Sequence, residues 1–194
     1  MNTQKRRMTT RMMTLGAIMT ALVIILQLLA TFTTFFGPFS TAVALIPIVI
    51  GAAMCGIVVG AWLGLVFGAV VLLSGGAALF WTFSIYGTII TVLAKGALCG
   101  LAAGLVYRLL ERFNKYVAVL GAAIICPIVN TGVFLLGCRI FFMPFADAIA
   151  QTVNLTVSGM SVFFALAMAN FLFELGMNIL LSPVIVRLLN IKKN

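Results

Sequence analysis

The 194 residues are 64% hydrophobic and 8% charged, with a mean hydropathy of +1.28. A soluble domain is closer to half apolar and a quarter charged, and one of this size has no interior large enough to hide so much apolar surface, so the solvent around most of this chain is lipid. That excludes a cytosolic enzyme, a nucleic-acid-binding domain and a disordered segment, even though 12 basic against 3 acidic residues give a net charge of +9.

The chain has no histidine, and its acids are Glu111, Asp147 and Glu174. Zinc-protease motifs, His-based triads and paired-acid active sites are therefore excluded. It has no Gly-rich phosphate loop, so any ATP-driven work places the ATP on another chain. Neither a metal nor a cofactor is expected. The cysteines Cys55, Cys99, Cys126 and Cys138 form no CxxC pair and read as small apolar packing residues.

A membrane helix needs about 20 apolar residues to cross roughly 30 Å of hydrocarbon. Six such segments are predicted, in one domain covering residues 1–194. A basic segment, 1–11, precedes the first span at 12–32 and reads as retained, because a run of spanning length follows it without a small-residue cleavage site. The second span, 41–54, is short and carries Pro47. The third, 56–73, ends at Ser74-Gly75-Gly76. The fourth covers 84–109. The fifth, 116–137, contains Pro127, which a membrane helix tolerates where neighbours re-satisfy the freed carbonyl. The sixth covers 160–189.

Lys5, Arg6, Arg7 and Arg11 precede the first span; Arg108, Arg112 and Lys115 separate the fourth and fifth; Arg187, Lys192 and Lys193 close the chain. Six spans put all three groups on one side, so that ten of the twelve basic residues are cytoplasmic, with both termini. Five or seven spans would break the pattern. The expected fold class is an all-α integral membrane protein, a six-transmembrane-helix bundle in the cell membrane, with N and C termini cytoplasmic.

Gly56, Gly60, Gly64 and Gly68 recur every fourth residue in the third span, and Gly96, Gly100 and Gly104 in the fourth. Such stripes let backbones approach closely, either inside the bundle or against a partner helix. Ala17 and Ala21 make a weaker small-residue pair in the first span.

Polar groups inside apolar spans are the candidate site. Lys95 lies near the middle of the fourth span, at a cost of about 2.5–3.5 kcal/mol on insertion scales. Glu174 lies in the sixth, with Asn170 and Asn178 one turn to either side on the same face. Asn130 and Thr131 are in the fifth, Arg139 at its outer end, and Gln27 in the outer half of the first. Lys95 and Glu174 could neutralise each other as an ion pair with the asparagines as interhelical glue. Alternatively the fourth, fifth and sixth spans form a polar cavity open to the outside, in which Lys95 or Arg139 receives an anionic group. Phe32, Phe35, Phe36, Phe39, Phe80, Trp81, Phe83, Tyr86, Phe141, Phe142 and Phe145 fall at the outer ends of spans, as an interfacial belt or as lids over a site. Asn154-Leu155-Thr156 matches a glycosylation sequon, a pattern common by chance.

The layout resembles the substrate-binding S components of energy-coupling-factor (ECF) transporters. The resemblance rests on six short spans in this length, the basic start before Ala17 and Ala21, the proline-bearing second helix, and Pro47, Gly51, Gly56 and Gly60 at the family's spacing. It implies high-affinity binding of a vitamin from outside, no enzymatic activity, and docking on a transmembrane coupling subunit with two ATPases. It implies further that Ala17 and Ala21 contact that subunit, and that segments 33–40, 74–83 and 139–159 close over the site. Asn130-Thr131-Gly132 followed by Arg139 is most similar to the pantothenate type. Lys95 or Arg139 would then take the carboxylate, and Asn130, Asn170 and Asn178 the neutral groups, with Thr131 and Glu174 also among the substrate-binding residues. Riboflavin, folate and pyridoxine remain alternatives, with a stand-alone carrier or channel, or a membrane enzyme resting on Lys95 and Glu174, as readings of another class.

Overall fold

The computed structural model describes residues 10–33 and 44–191. Those residues form an all-helical bundle: α1 (Thr10–Thr33), α2 (Leu45–Cys55), α3 (Ile57–Leu73), the single turn α4 (Ala78–Trp81), α5 (Ile85–Leu110), α6 (Lys115–Gly137), α7 (Ala146–Thr152) and α8 (Met160–Ile191). The basic residues Lys5, Arg6, Arg7, Lys192 and Lys193, and most of the predicted lid 33–40, lie outside the described residues.

Four segments are long and apolar enough to cross a bilayer: α1, α5, the continuous helical run that begins with α6, and α8. The helices α2 and α3 are apolar but shorter, at 11 and 17 residues. The shortness of α2 follows from its place. It packs against α1, α3, α5, α6 and α8, and Leu45, Ile48 and Val49 are fully buried. Pro47 sits in its first turn, where helix N–H groups lack intrahelical partners and a missing donor costs nothing.

The hinge between α2 and α3 is one residue, Gly56, at φ 99° and ψ 177°, a backbone region essentially reserved for glycine. It folds the two helices back on each other, so that a Cβ on Gly60 would lie 2.7 Å from that of Ala52. The largest interface in the bundle is α3 on α5. A Cβ on Gly60 would sit 2.7 Å from the Gly100 carbonyl oxygen, and one on Gly68 2.7 Å from that of Val92. Between them Gly64 and Gly96 run into each other's backbone. The two glycine stripes are therefore spent on each other inside the bundle.

These contacts also fix direction. The partner numbers of α3 and α5 fall as the other's rise, so the helices are antiparallel; Gly121 against Leu110 and Gly137 against Thr91 show the same for α5 and α6. Gly16 against Val59 and Thr31 hydrogen-bonded to Ser74 keep a constant offset, so α1 and α3 run parallel. One end of the bundle thus gathers the start of α1, the α2–α3 hinge, and the α5–α6 turn with Arg108, Arg112 and Lys115.

Capping explains the helix starts near the opposite end and at the basic turn. The Ser84 hydroxyl accepts from Gly87 N–H at 3.2 Å to open α5, and Asn114 Oδ1 accepts from Tyr116 N–H at 2.8 Å to open α6. In α8, Pro183 frees the carbonyl of Ile179, and the Ser182 hydroxyl donates to it at 2.8 Å. The 32-residue helix therefore runs through its proline.

Of the segments expected as connecting lids, 74–83 is turns around the single helical turn α4, and 139–159 is largely helical. Beyond α6 the chain widens into a π-turn, Cys138–Phe142, tightens into a 3-10 turn, Met143–Phe145, and then forms α7. Pro144 accounts for the irregularity, because it has no N–H to continue the ladder. Cys138, Phe142, Ile149, Val162 and Phe163 form a second buried cluster here, with Phe80, Phe83 and Phe134 packed on it. Elsewhere the outer surface is apolar, with Leu73, Tyr86, Leu109 and Leu180 exposed, as helices bathed in lipid require.

Candidate functional site

The long helices α5, α6 and α8 bring four of the predicted polar residues together. Asn130 Nδ2 donates to Glu174 Oε2 at 3.1 Å, joining α6 to α8. Asn178 Nδ2 donates to the Glu174 carbonyl oxygen at 2.9 Å, one turn along the same helix. All three side chains are buried, Asn178 completely. Lys95 faces them from α5 and interacts electrostatically with Glu174. Its direct neighbours are aromatic: Nζ lies 5.8 Å from the centroid of Phe67 on α3 and 5.6 Å from that of Phe134 on α6, within the range of cation–π attraction. Among the described residues the ammonium makes no hydrogen bond.

Four buried side-chain atoms have no hydrogen-bond partner among the described residues: Gln27 Oε1, Thr91 Oγ1, Asn130 Oδ1 and Asn178 Oδ1. Each such group costs about 1–3 kcal/mol unless something else supplies the bond. Thr91 stands out against its relatives in the same bundle. Thr20, Thr31 and Thr88 satisfy their hydroxyls on the carbonyl four residues back, whereas the Thr91 side chain, methyl and hydroxyl alike, packs on Gly137 of α6. It lies one turn from Lys95, on the same face of α5.

An aromatic cap closes the cluster toward the α4 end. Phe134, which offers a face to Lys95, receives Phe80 edge-on at 5.5 Å and 84°, and Phe80 meets Phe142 at 5.1 Å and 71°. Phe83 and Phe145 add a tilted pair at 5.7 Å. Of the aromatics at the outer ends of the spans, Phe80, Phe83, Phe142 and Phe145 are thus in ring contact, while Tyr86 is exposed.

The other predicted residues lie elsewhere. Thr131 turns about 100° away from Asn130 and lines an apolar groove of about 210 Å³ between α6 and α8, with Ile128, Gly132, Leu135, Phe164, Ala167, Met168 and Phe171. Arg139 is exposed on the π-turn. Asn170 is half-buried on α8. Ala17 and Ala21 are exposed on α1, while Gly16 beside them packs 3.6 Å from Val59. Phe67, Thr91 and Phe134 were not expected at the site. The one sequence signal for them is spacing: Thr91 is four residues from Lys95, and Phe134 four from Asn130.

Fold and cluster together define a class: a helical membrane protein that gathers amide, carboxylate and ammonium groups inside an apolar bundle, beneath an aromatic cap. The family model for the ECF transporter substrate-specific component matches residues 11–186, and the chain belongs to that family. No curated protein and no solved structure matches it significantly. Membership makes it the substrate-specific part of a transporter, with a small-molecule substrate and ECF module partners, in a family that is generally not enzymatic.

Proposed function

We propose that this chain is the high-affinity S component of an ATP-driven vitamin importer in the bacterial plasma membrane, and that its substrate is pantothenate. The observation that carries this is Lys95. A cation inside an apolar bundle is expensive, and here the ammonium is held between two phenylalanine faces, in the field of Glu174, whose two asparagine partners have unfilled hydrogen bonds. Pantothenate is a small anion with two hydroxyls and an amide. Its carboxylate goes to Lys95, and its neutral groups to Asn130, Asn178 and Thr91, with Glu174 completing the polar face and the half-buried Asn170 at its margin. Thr131 and Arg139 stand at the margins of this arrangement. Riboflavin fits less well, because Phe80 meets Phe134 and Phe142 edge-on rather than as the parallel stack that suits a flavin.

In this reading α1, α2, α3, α5, α6 and α8 are six spans, and the end bearing Arg108, Arg112 and Lys115 is cytoplasmic with both termini. The exposed Ala17 and Ala21 dock on the coupling subunit, and two ATPases supply the energy. The α4 segment and the π-turn through α7 act as lids. Small-molecule mass spectrometry of ligand co-purified with the protein, followed by a thermal-shift panel of the B vitamins, tests the proposal. Pantothenate is expected in the extract and as the strongest stabiliser; stabilisation by riboflavin, folate or pyridoxine alone would replace it, and response to none would remove the binding role.

A further inference from the structure

The unfilled hydrogen bonds around Glu174 have a common sense. As a carboxylate, Glu174 only accepts, and so does its backbone carbonyl. Each asparagine beside it must therefore turn its NH2 inward: Asn130 Nδ2 toward Oε2, and Asn178 Nδ2 toward the carbonyl oxygen. What each has left is a carbonyl oxygen, and those two atoms, Asn130 Oδ1 and Asn178 Oδ1, are buried without partners among the described residues. Asn130 is 4% exposed and Asn178 0%. An amide alone is ambivalent, since it donates and accepts; the Glu174 carboxylate removes the ambivalence at Asn130, and the backbone carbonyl removes it at Asn178.

We propose that Glu174 is a positioning residue that sets the hydrogen-bond polarity of the site, holding Asn130 so that it presents only an acceptor. The ligand then belongs to the class that carries hydroxyl or amide N–H donors alongside its anionic group. The proposal rests on reading the cluster as the substrate site, and it adds the rule by which the site selects. A ligand of the same shape whose hydroxyls are capped leaves two buried carbonyl oxygens unmet, and sites built to hydrogen-bond a donor reject such analogues strongly. Thr91 Oγ1 adds no bias, because a hydroxyl serves either role.

The test exchanges the two partners. In Glu174→Gln the new amide can donate to Asn130 Oδ1, which frees Asn130 to flip and offer its NH2 instead. In the double variant Asn130→Asp with Glu174→Gln, the amide introduced on α8 donates to one oxygen of the carboxylate introduced on α6, and the other oxygen again faces the ligand as an acceptor. Titration calorimetry on the detergent-purified full chain compares pantothenate with its bis-O-methyl ether, and riboflavin with its tetra-acetyl ester. The wild-type protein is expected to prefer the free hydroxyl form by at least about tenfold. Glu174→Gln should reduce that preference by at least about threefold, Asn178 keeping its acceptor because its partner is the backbone carbonyl, and the double variant should restore it. An undiminished preference in Glu174→Gln, or no recovery in the double variant, overturns the proposal. If the pattern appears with the riboflavin pair and pantothenate does not bind, the substrate assignment fails while the polarity rule stands. A ligand-free readout decides if neither pair binds: Asn130→Asp alone sets two carboxylates against each other and should lower the melting temperature, and adding Glu174→Gln should recover it. Absence of that rescue overturns the orientation of Asn130 and the proposal with it.

Discussion

Gly64 of α3 and Gly96 of α5 meet backbone to backbone. A Cβ on either would overlap the main chain of the other. In lipid, where apolar burial gives helices no reason to associate, such close approach is the main source of attraction. Replacing Gly64 or Gly96 by Leu should cost about 1–3 kcal/mol through overpacking, a melting temperature lower by roughly 2–10 °C in detergent for a chain of this size. Gly132 is the control: a Cβ there meets nothing within 4 Å. Gly132→Ala should leave stability unchanged or raise it by about 0.5–1 kcal/mol, as helix propensity dictates. Thermal unfolding of the three variants side by side checks both signs.

Gly56 presents the opposite case, a glycine needed for its backbone and not for space. No atom lies within 4 Å of where its Cβ would be, yet φ is +99°. Gly56→Ala should therefore destabilise by about 1–3 kcal/mol with no clash to relieve. Second-site substitutions that enlarge the surroundings should fail to rescue it, whereas Leu63→Val should rescue Gly51→Ala, whose Cβ would clash only with the end of the Leu63 side chain. A rescue screen scored by melting temperature separates the two mechanisms.

The glycine spacing made the α3–α5 seam legible, because a repeat of four leaves one bare helix face and only a second bare face fits it. Lys95, Asn130, Glu174 and Asn178 were equally legible, since each is a polar residue in an apolar run and has to face inward. Thr131 shows the limit of that logic. It is adjacent to Asn130 in sequence but about 100° away around the helix, so it lines the outer groove and not the buried cluster. Thr91 and Phe134 could not be told from ordinary membrane-helix residues, because their roles come from what they face across α5 and α6. The π-turn and α7 were hidden for a different reason. Arg139, Pro144 and Asp147 punctuate that stretch like a loop, while Phe142, Ile149 and Phe163 bury it as a helical cap.

Ala17 and Ala21 predict a separation of binding from transport. Both are exposed on α1, whereas Val23 and Gln27 on the inward face of the same helix are buried. Replacing Ala17 and Ala21 by Leu adds bulk to the outer face without touching the cluster of Lys95 and Glu174. Substrate affinity should stay within about threefold of the wild type, and uptake in cells carrying the full transporter should be lost. Normal uptake would mean that this face of α1 does not dock on the coupling subunit.

Lys95 predicts a loss confined to binding. Its ammonium has two ring faces and the field of Glu174 for company, so the membrane insertion of α5, a 26-residue apolar helix, does not depend on it. Lys95→Met keeps the length of the side chain and its packing between Phe67 and Phe134 while removing the charge. Hydrogen bonds to charged groups contribute about 1.5–3 kcal/mol, so affinity for an anionic substrate should fall by roughly 10- to 150-fold, with expression and membrane localisation retained. The charge-free analogue pantothenol sharpens the test: it has no carboxylate, so its affinity should change by less than about threefold between wild type and Lys95→Met. Equal losses for pantothenate and pantothenol would assign Lys95 a packing role, and unchanged affinity for both would move the anion subsite elsewhere, with the exposed Arg139 as the next cation to replace.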